Sequence, residues 1–516
     1  MLRSTLSAAA FLVLAVIISP ASIPAAELAP APRIAPSSLD TRILAEVKER
    51  SELIKNLQYM SDVIGGRLTG SKSLERANNW TADKMKAYGL ENVRLEPWEI
   101  PVGWERGKAS MKIIEPDNGR ELLIASFGWT PGTKGKLTGP VVVLKARTKV
   151  ELEGYKGKLK NATVLLSPPK EVKSVTDLTY PAPPGPVVAP PKKDEVKPDA
   201  PKKDAEKKVD SPLVRAELLQ PGFEAVTEFL KAEGAACVCI DAGKPHGLLV
   251  TTGGWPSDRA VAEARLPRVF MAHEHYALLH RLASRPDAVT RVEVEIDNKF
   301  IAGPITVYNT VGEVLGSEKP DEIVLVGAHL DSWELASGTT DNATGSCVVL
   351  EIARTVSSLA KAGLRPKRTI RFVLFTGEEQ GLHGSRKYVE RHKDEMAKHS
   401  AALVHDTGTG KVYGFGLHGR TSVRDVLEPQ LSSLKQVDGW KGLEMRGMGG
   451  TDHLSFHAVG VPGFACLQDI DEYRLTHHTQ SDTFDKAKEP NLIQGAQVLS
   501  ITLMRIANLP ELLPRK

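Results

Sequence analysis

Residues 322–359 read EIVLVGAHLDSWELASGTTDNATGSCVVLEIARTVSSL, and this stretch decides the fold. Glu322 to Ala328 is a short apolar run of strand length that ends in His329-Leu330-Asp331. A polar loop, Gly338-Thr339-Thr340-Asp341-Asn342, follows. From Gly345 to Leu359, the residues Val348, Val349, Ile352, Val356 and Leu359 then fall on one face of a helix. The same order recurs downstream. Thr369 to Phe375 is strand-like and leads into Glu378-Glu379 and a helix reaching Met396, and Ala401 to Val404 is a third strand ending in His405-Asp406. Strands alternating with helices predict an α/β fold whose mixed, largely parallel sheet is sandwiched by helices.

Open α/β sheets bind ligands beyond the carboxyl ends of their strands, where each polar cluster just named lies. A single histidine or aspartate at such a place is more often a turn or cap residue. Three strands delivering imidazole or carboxylate to one rim are hard to explain as turns, and the rim also receives Asp341 and the pair His477-His478. Mixed nitrogen and oxygen ligands suit Zn²⁺, with Mn²⁺ or Co²⁺ possible, whereas an all-oxygen set would point to Mg²⁺ or Ca²⁺. One catalytic zinc usually takes three protein groups and leaves a position for water. A larger set, with a carboxylate shared between two metals, therefore predicts a dinuclear site.

Six strings carry a resemblance. They are Gly327-Ala328-His329-Leu330-Asp331-Ser332, Thr340-Asp341-Asn342-Ala343-Thr344-Gly345, Gly377-Glu378-Glu379-Gln380-Gly381-Leu382, Asp406-Thr407-Gly408, Thr451-Asp452-His453 and His478-Thr479-Gln480-Ser481-Asp482-Thr483. In order, they resemble the motifs of the clan MH co-catalytic zinc peptidases. Gly65-Gly66-Arg67-Leu68-Thr69-Gly70-Ser71, Gly103-Trp104, the paired His477-His478 and the closing Leu512-Leu513-Pro514-Arg515 look most like the plasma glutamate carboxypeptidase branch. The resemblance implies a zinc exopeptidase fold with Asp341 as bridging ligand, Glu379 and His478 completing one zinc site, and His329 and Asp406 the other. It makes Glu378 the general base and gives Asp331 the task of orienting His329. The spacing to Asp482-Thr483 favours His478 over His477. Some relatives place a tyrosine ahead of the Thr-Asp-His string. Here Met448-Gly449-Gly450 stand there, leaving His453 or a metal to polarise the substrate carbonyl.

Outward from this centre, the main part of the peptidase domain is expected at 298–516 and its N-terminal part at 39–124. The latter includes a helix with Leu74, Ala77, Trp80 and Met85 on one face and Gly89 at its end. Short β-type runs such as Val141 to Leu144 and Thr163 to Leu166 place a β-rich insert at 125–297, which resembles a protease-associated domain. Residues 182–212 interrupt it with a Pro-, Lys- and Asp-rich linker that has almost no large apolar side chain. Arg3, the apolar run Ala8 to Ile18 and the small residues up to Ala26 read as a signal peptide at 1–26. The mature chain is then secreted or periplasmic, with no membrane span. Cys237, Cys239, Cys347 and Cys466 are expected as buried thiols.

The 67 Lys and Arg residues nearly cancel the 63 Asp and Glu residues, so nucleic acid is not an expected partner. The expected substrate is a peptide or dipeptide, cleaved beside a free chain end by metal-activated water. A homodimer is compatible with the resemblance. Two other readings are a single-zinc enzyme of the glutaminyl cyclase kind and a non-catalytic receptor ectodomain. Both would be marked by loss of metal ligands, and the full set is present. Limited proteolysis is expected to cut first between Pro183 and Asp210, and deleting that segment should leave metal content and turnover unchanged. Resistance to cleavage there, or lost activity on deletion, would show that it packs against something.

Overall fold

The computed structural model describes residues 38–116, 118–146, 148–172, 223–470 and 473–515. The expected signal peptide and linker lie outside the described residues. An eight-stranded mixed sheet carries the peptidase half. From one edge its strands run Glu91–Glu105, Lys299–Val314, Arg368–Phe375, Lys319–His329, His399–Val404, Gly463–Gln468, Val412–Gly416 and Gly442–Glu444. The middle four are mutually parallel, and antiparallel strands flank them. This is the α/β fold expected from the alternation of strands and helices.

Side-chain alternation explains why helices cover both faces. Val324, Val326 and Ala328 point into one large apolar cluster, together with Ile370, Phe372, Leu374, Ala401 and Leu403. Their neighbours Leu325, Val373, Phe375 and Ala402 point the other way, toward Tyr388, Met396 and Phe456. Each buried side chain of this size contributes about 1.5–3 kcal/mol on removal from water. Helix Thr344–Lys361 is buried over almost its whole surface, between the sheet and helices Lys72–Tyr88 and Glu489–Ala507. Its start admits no side chain at Gly345, where a Cβ would lie 2.4 Å from both Asn342 Oδ1 and the His405 carbonyl oxygen.

A second eight-stranded sheet lies between residues 109 and 296. It grows from the ribbon that Glu91–Glu105 makes with Lys299–Val314, which continues to the pair Glu105 and Lys299. Just beyond, Ala109 pairs with Ile296, so the second sheet is entered and left on adjacent strands. It takes in Ala109–Glu115 and Glu121–Leu122, ahead of the boundary read at 125, because Ala109–Glu115 pairs along Arg291–Ile296. All four cysteines are free and buried. Among the described residues, no helix is long and apolar enough to cross a membrane.

Candidate active site

Strand register aligns the rim. His329 is level with Phe375, and Gly327 is level with Val404, so Asp406 lies opposite His329 two residues past the end of its strand. His329 Nε2 accordingly lies 2.9 Å from Asp406 Oδ1 and 3.3 Å from Asp341 Oδ1. On the other side of Asp341, Oδ2 is 3.5 Å from His478 Nε2 and 3.8 Å from His477 Nε2. His478 Nε2 is also 2.9 Å from Glu379 Oε2. Two groups of potential ligand atoms therefore share Asp341: His329 with Asp406, and His477 with His478.

The fit to a cation can be read from the partners these groups lack. Asp341 Oδ2 and Glu379 Oε1 are buried without a hydrogen-bond partner, which is costly unless something positive fills the space between them. Burial, reinforced by neighbouring carboxylates, pushes Glu378 and Glu379 well above the ordinary carboxyl range. Burial alone would depress His329, yet Asp406, Glu378, Asp331 and Asp341 outweigh it and raise the imidazole well above its usual value. A divalent cation among these oxygens relieves both the repulsion and the missing contacts.

Backbone and buried side chains hold the rim in place. Asp331 meets His329 through its main chain: His329 Nδ1 is 2.9 Å from the Asp331 carbonyl oxygen and 3.7 Å from the nearer carboxylate oxygen. That carboxylate instead accepts the backbone N–H groups of Glu378 and Glu379 at 3.3 Å each, and the Thr69 hydroxyl at 3.0 Å. It thereby fixes the turn that splits the two glutamates. Asp482 does the same for the Asp341 loop, accepting from Thr340 N at 2.6 Å and Asp341 N at 3.1 Å. Arg67 is fully buried and donates to the carbonyls of Gly65, Leu330, Ser337 and Gly338, tying the two loops together.

A cavity of about 460 Å³ opens over Asp341, Glu378, Glu379, Asp406 and His478. Met448, Gly449 and Gly450 form part of its wall. Sequence reasoning missed Tyr473, which also lines it, and whose phenol is raised well above its usual range by burial and the nearby carboxylates. Only its place shortly before His477 could have suggested it. Asp452 and His453 are not in the lining: both are buried, and His453 Nε2 is 2.8 Å from His418 Nε2. His405 is turned into the core beside Gly495, where burial lowers it to about 4.

Residues 309–502, which carry all the ligand candidates, match Peptidase family M28. That match takes in the whole rim and the strands behind it. Carboxypeptidase Q of Bos taurus is 29% identical over 484 residues, covering 93% of this chain and 90% of the relative. Carboxypeptidase Q of Homo sapiens is 26% identical over 496 residues, covering 95% and 92%. Among solved structures, a Peptidase M28 precursor from Shewanella amazonensis superposes with a TM-score of 0.71 at 24% identity, covering 92% of this chain and 97% of that one. A zinc aminopeptidase from Bacillus subtilis gives 0.57 at 19% identity, covering 87% and 93%. These two structures share the fold, and the family match makes the chain a metallopeptidase.

Removing the support of the Asp341 loop should weaken metal binding without emptying the rim of ligands. Asp482→Ala is expected to lower metal affinity about 10- to 100-fold, measured by competition with a chromogenic chelator. Unchanged affinity would mean that the loop holds its own shape.

Proposed function

We propose that this chain is an exported dizinc exopeptidase acting on small peptides and dipeptides. The observation that carries the reading is Asp341, one carboxylate placed between the two ligand groups. His329 and Asp406 complete one zinc site, and Glu379 and His478 the other. His478 is preferred over His477 because its Nε2 is close to both Asp341 and Glu379, whereas the His477 side chain is 44% exposed. A bridged pair also argues against a single-zinc cyclisation enzyme. Export rests on the expected signal peptide alone.

Two zinc ions in these positions would supply Lewis acidity toward the scissile carbonyl and lower the pKa of water for attack at neutral pH. Glu378 lines the cavity and is not needed as a ligand, so it takes the proton of the attacking water and returns it to the departing amine. Asp331 holds the glutamate turn and Asp482 the bridging loop, so the base and the ligands keep separate directions.

Two experiments test the reading. Glu378→Gln should keep both zinc ions while turnover falls about 10²- to 10⁴-fold, because an amide cannot accept the proton, whereas Glu379→Ala should lose zinc. Elemental analysis beside kcat and KM separates the two, and near-normal turnover in Glu378→Gln would reverse the assignment. Peptides with one free end should be cleaved and peptides blocked at both ends should not. Efficient cleavage of doubly blocked substrates would overturn the exopeptidase reading.

A further inference from the structure

The loop that carries His478 is built jointly by the two sheets. Val250, in the second sheet's Gly247–Gly253 loop, forms an antiparallel bridge with Thr479. Thr251 N donates to the His478 carbonyl oxygen at 3.0 Å. One residue further, Gln480 Oε1 accepts from Leu249 N at 2.5 Å, and Gln480 Nε2 donates to the Gly247 carbonyl oxygen at 3.2 Å. His478 itself has φ +60°, a left-handed conformation that a β-carbon disfavours and that persists only where neighbours hold it.

The Gly247–Gly253 loop is in turn fastened from both sides. Arg106, just past the ribbon, pairs with Glu334 at 2.7 Å and donates to Thr251 Oγ1 at 2.8 Å and to the Ser126 carbonyl oxygen. Its side chain is 13% exposed, so these contacts are largely shielded from water. Gly253 bridges Gly128 so closely that a Cβ at Gly253 would lie 2.6 Å from the Gly128 Cα. Trp333 completes the contact: its ring meets His478 edge-on at 6.1 Å and Trp129, from the second sheet, at 6.3 Å.

We infer that the Gly247–Gly253 loop is a positioning clamp for His478, with Arg106 and Gln480 as its fasteners, so that one of the two metals depends on the second sheet for its ligand. This rests on His478 being a ligand, as proposed above. It gives the second sheet a task in the site itself. Arg106 and Gln480 are positioning residues, since neither lines the cavity.

The test uses the full chain and stepwise competition for zinc by a chelator, which resolves two affinities. Wild type should bind two zinc ions and His478→Ala one; any other result for this pair overturns the metal reading itself and the clamp with it. Given that pair, Arg106→Ala and Gln480→Ala should each weaken one zinc about tenfold or more while leaving the other unchanged, and Arg106→Lys should restore part of the loss. Hydrogen exchange of the metal-free protein should quicken over residues 475–481 in both alanine variants. Unchanged affinities with unchanged exchange would overturn the clamp, as would equal weakening of both zinc ions. If Arg106→Ala fails to fold, Gln480→Ala alone decides, because it leaves the Arg106 ion pair intact.

Discussion

The structure turns on the crowding of buried carboxylates around His329. Asp331, Asp341, Glu378, Glu379 and Asp406 gather around the carboxyl ends of three strands, where burial and neighbouring carboxylates push Glu378 and Glu379 well above the ordinary carboxyl range. Such a cluster persists only if every oxygen not meant for a cation is satisfied by the protein. The chain meets this with backbone N–H groups, which cannot rotate away: those of Glu378 and Glu379 go to Asp331, and those of Thr340 and Asp341 to Asp482. Arg67, buried beside the cluster, has its donors engaged by carbonyls. Negative charge is left over in the space that Asp341 Oδ2 and Glu379 Oε1 face.

Sheet register supplies the geometry that this chemistry needs. Parallel strands place their ends at one rim without any loop having to reach far, and the pairing of Gly327 with Val404 sets the separation of His329 and Asp406. Loops add what the strands cannot: Asp341 from the turn before a buried helix, and His478 from a segment pinned by the other sheet. The two halves of the proposed ligand set thus differ in mechanical origin. One half is as rigid as the core, and the other is as rigid as the contact between two sheets.

Much of this was legible in the residues. The central strands announced themselves as short apolar runs, and the cluster of His329, Asp341, Glu379, Asp406 and His478 came together as the resemblance implied. The long edge strand Glu91–Glu105 was hidden because Pro97, Pro101 and Gly103 interrupt its alternation, and it tolerates them at a sheet edge. Strand Gly463–Gln468 is short and buried throughout, with no polar partner face to give a period of two. Supporting roles were less visible, because Asp331, Arg67 and Asp482 act on backbone atoms, whose positions no side-chain pattern records. His405, next to Asp406 in the chain, is turned into the core beside Gly495 and does not share the rim.

The neighbouring entry and exit of the second sheet, at Ala109 and Ile296, has a consequence for how the chain tolerates change. For the peptidase sheet, everything between those residues is a single closed loop whose ends are already joined by the ladder. Closure entropy grows only with the logarithm of loop length, about 0.6 kcal/mol for each doubling. Lengthening or shortening the segment therefore alters the folding free energy of the first sheet very little. Variation in size can accumulate in this part of the sequence while the strands that hold the rim keep their spacing.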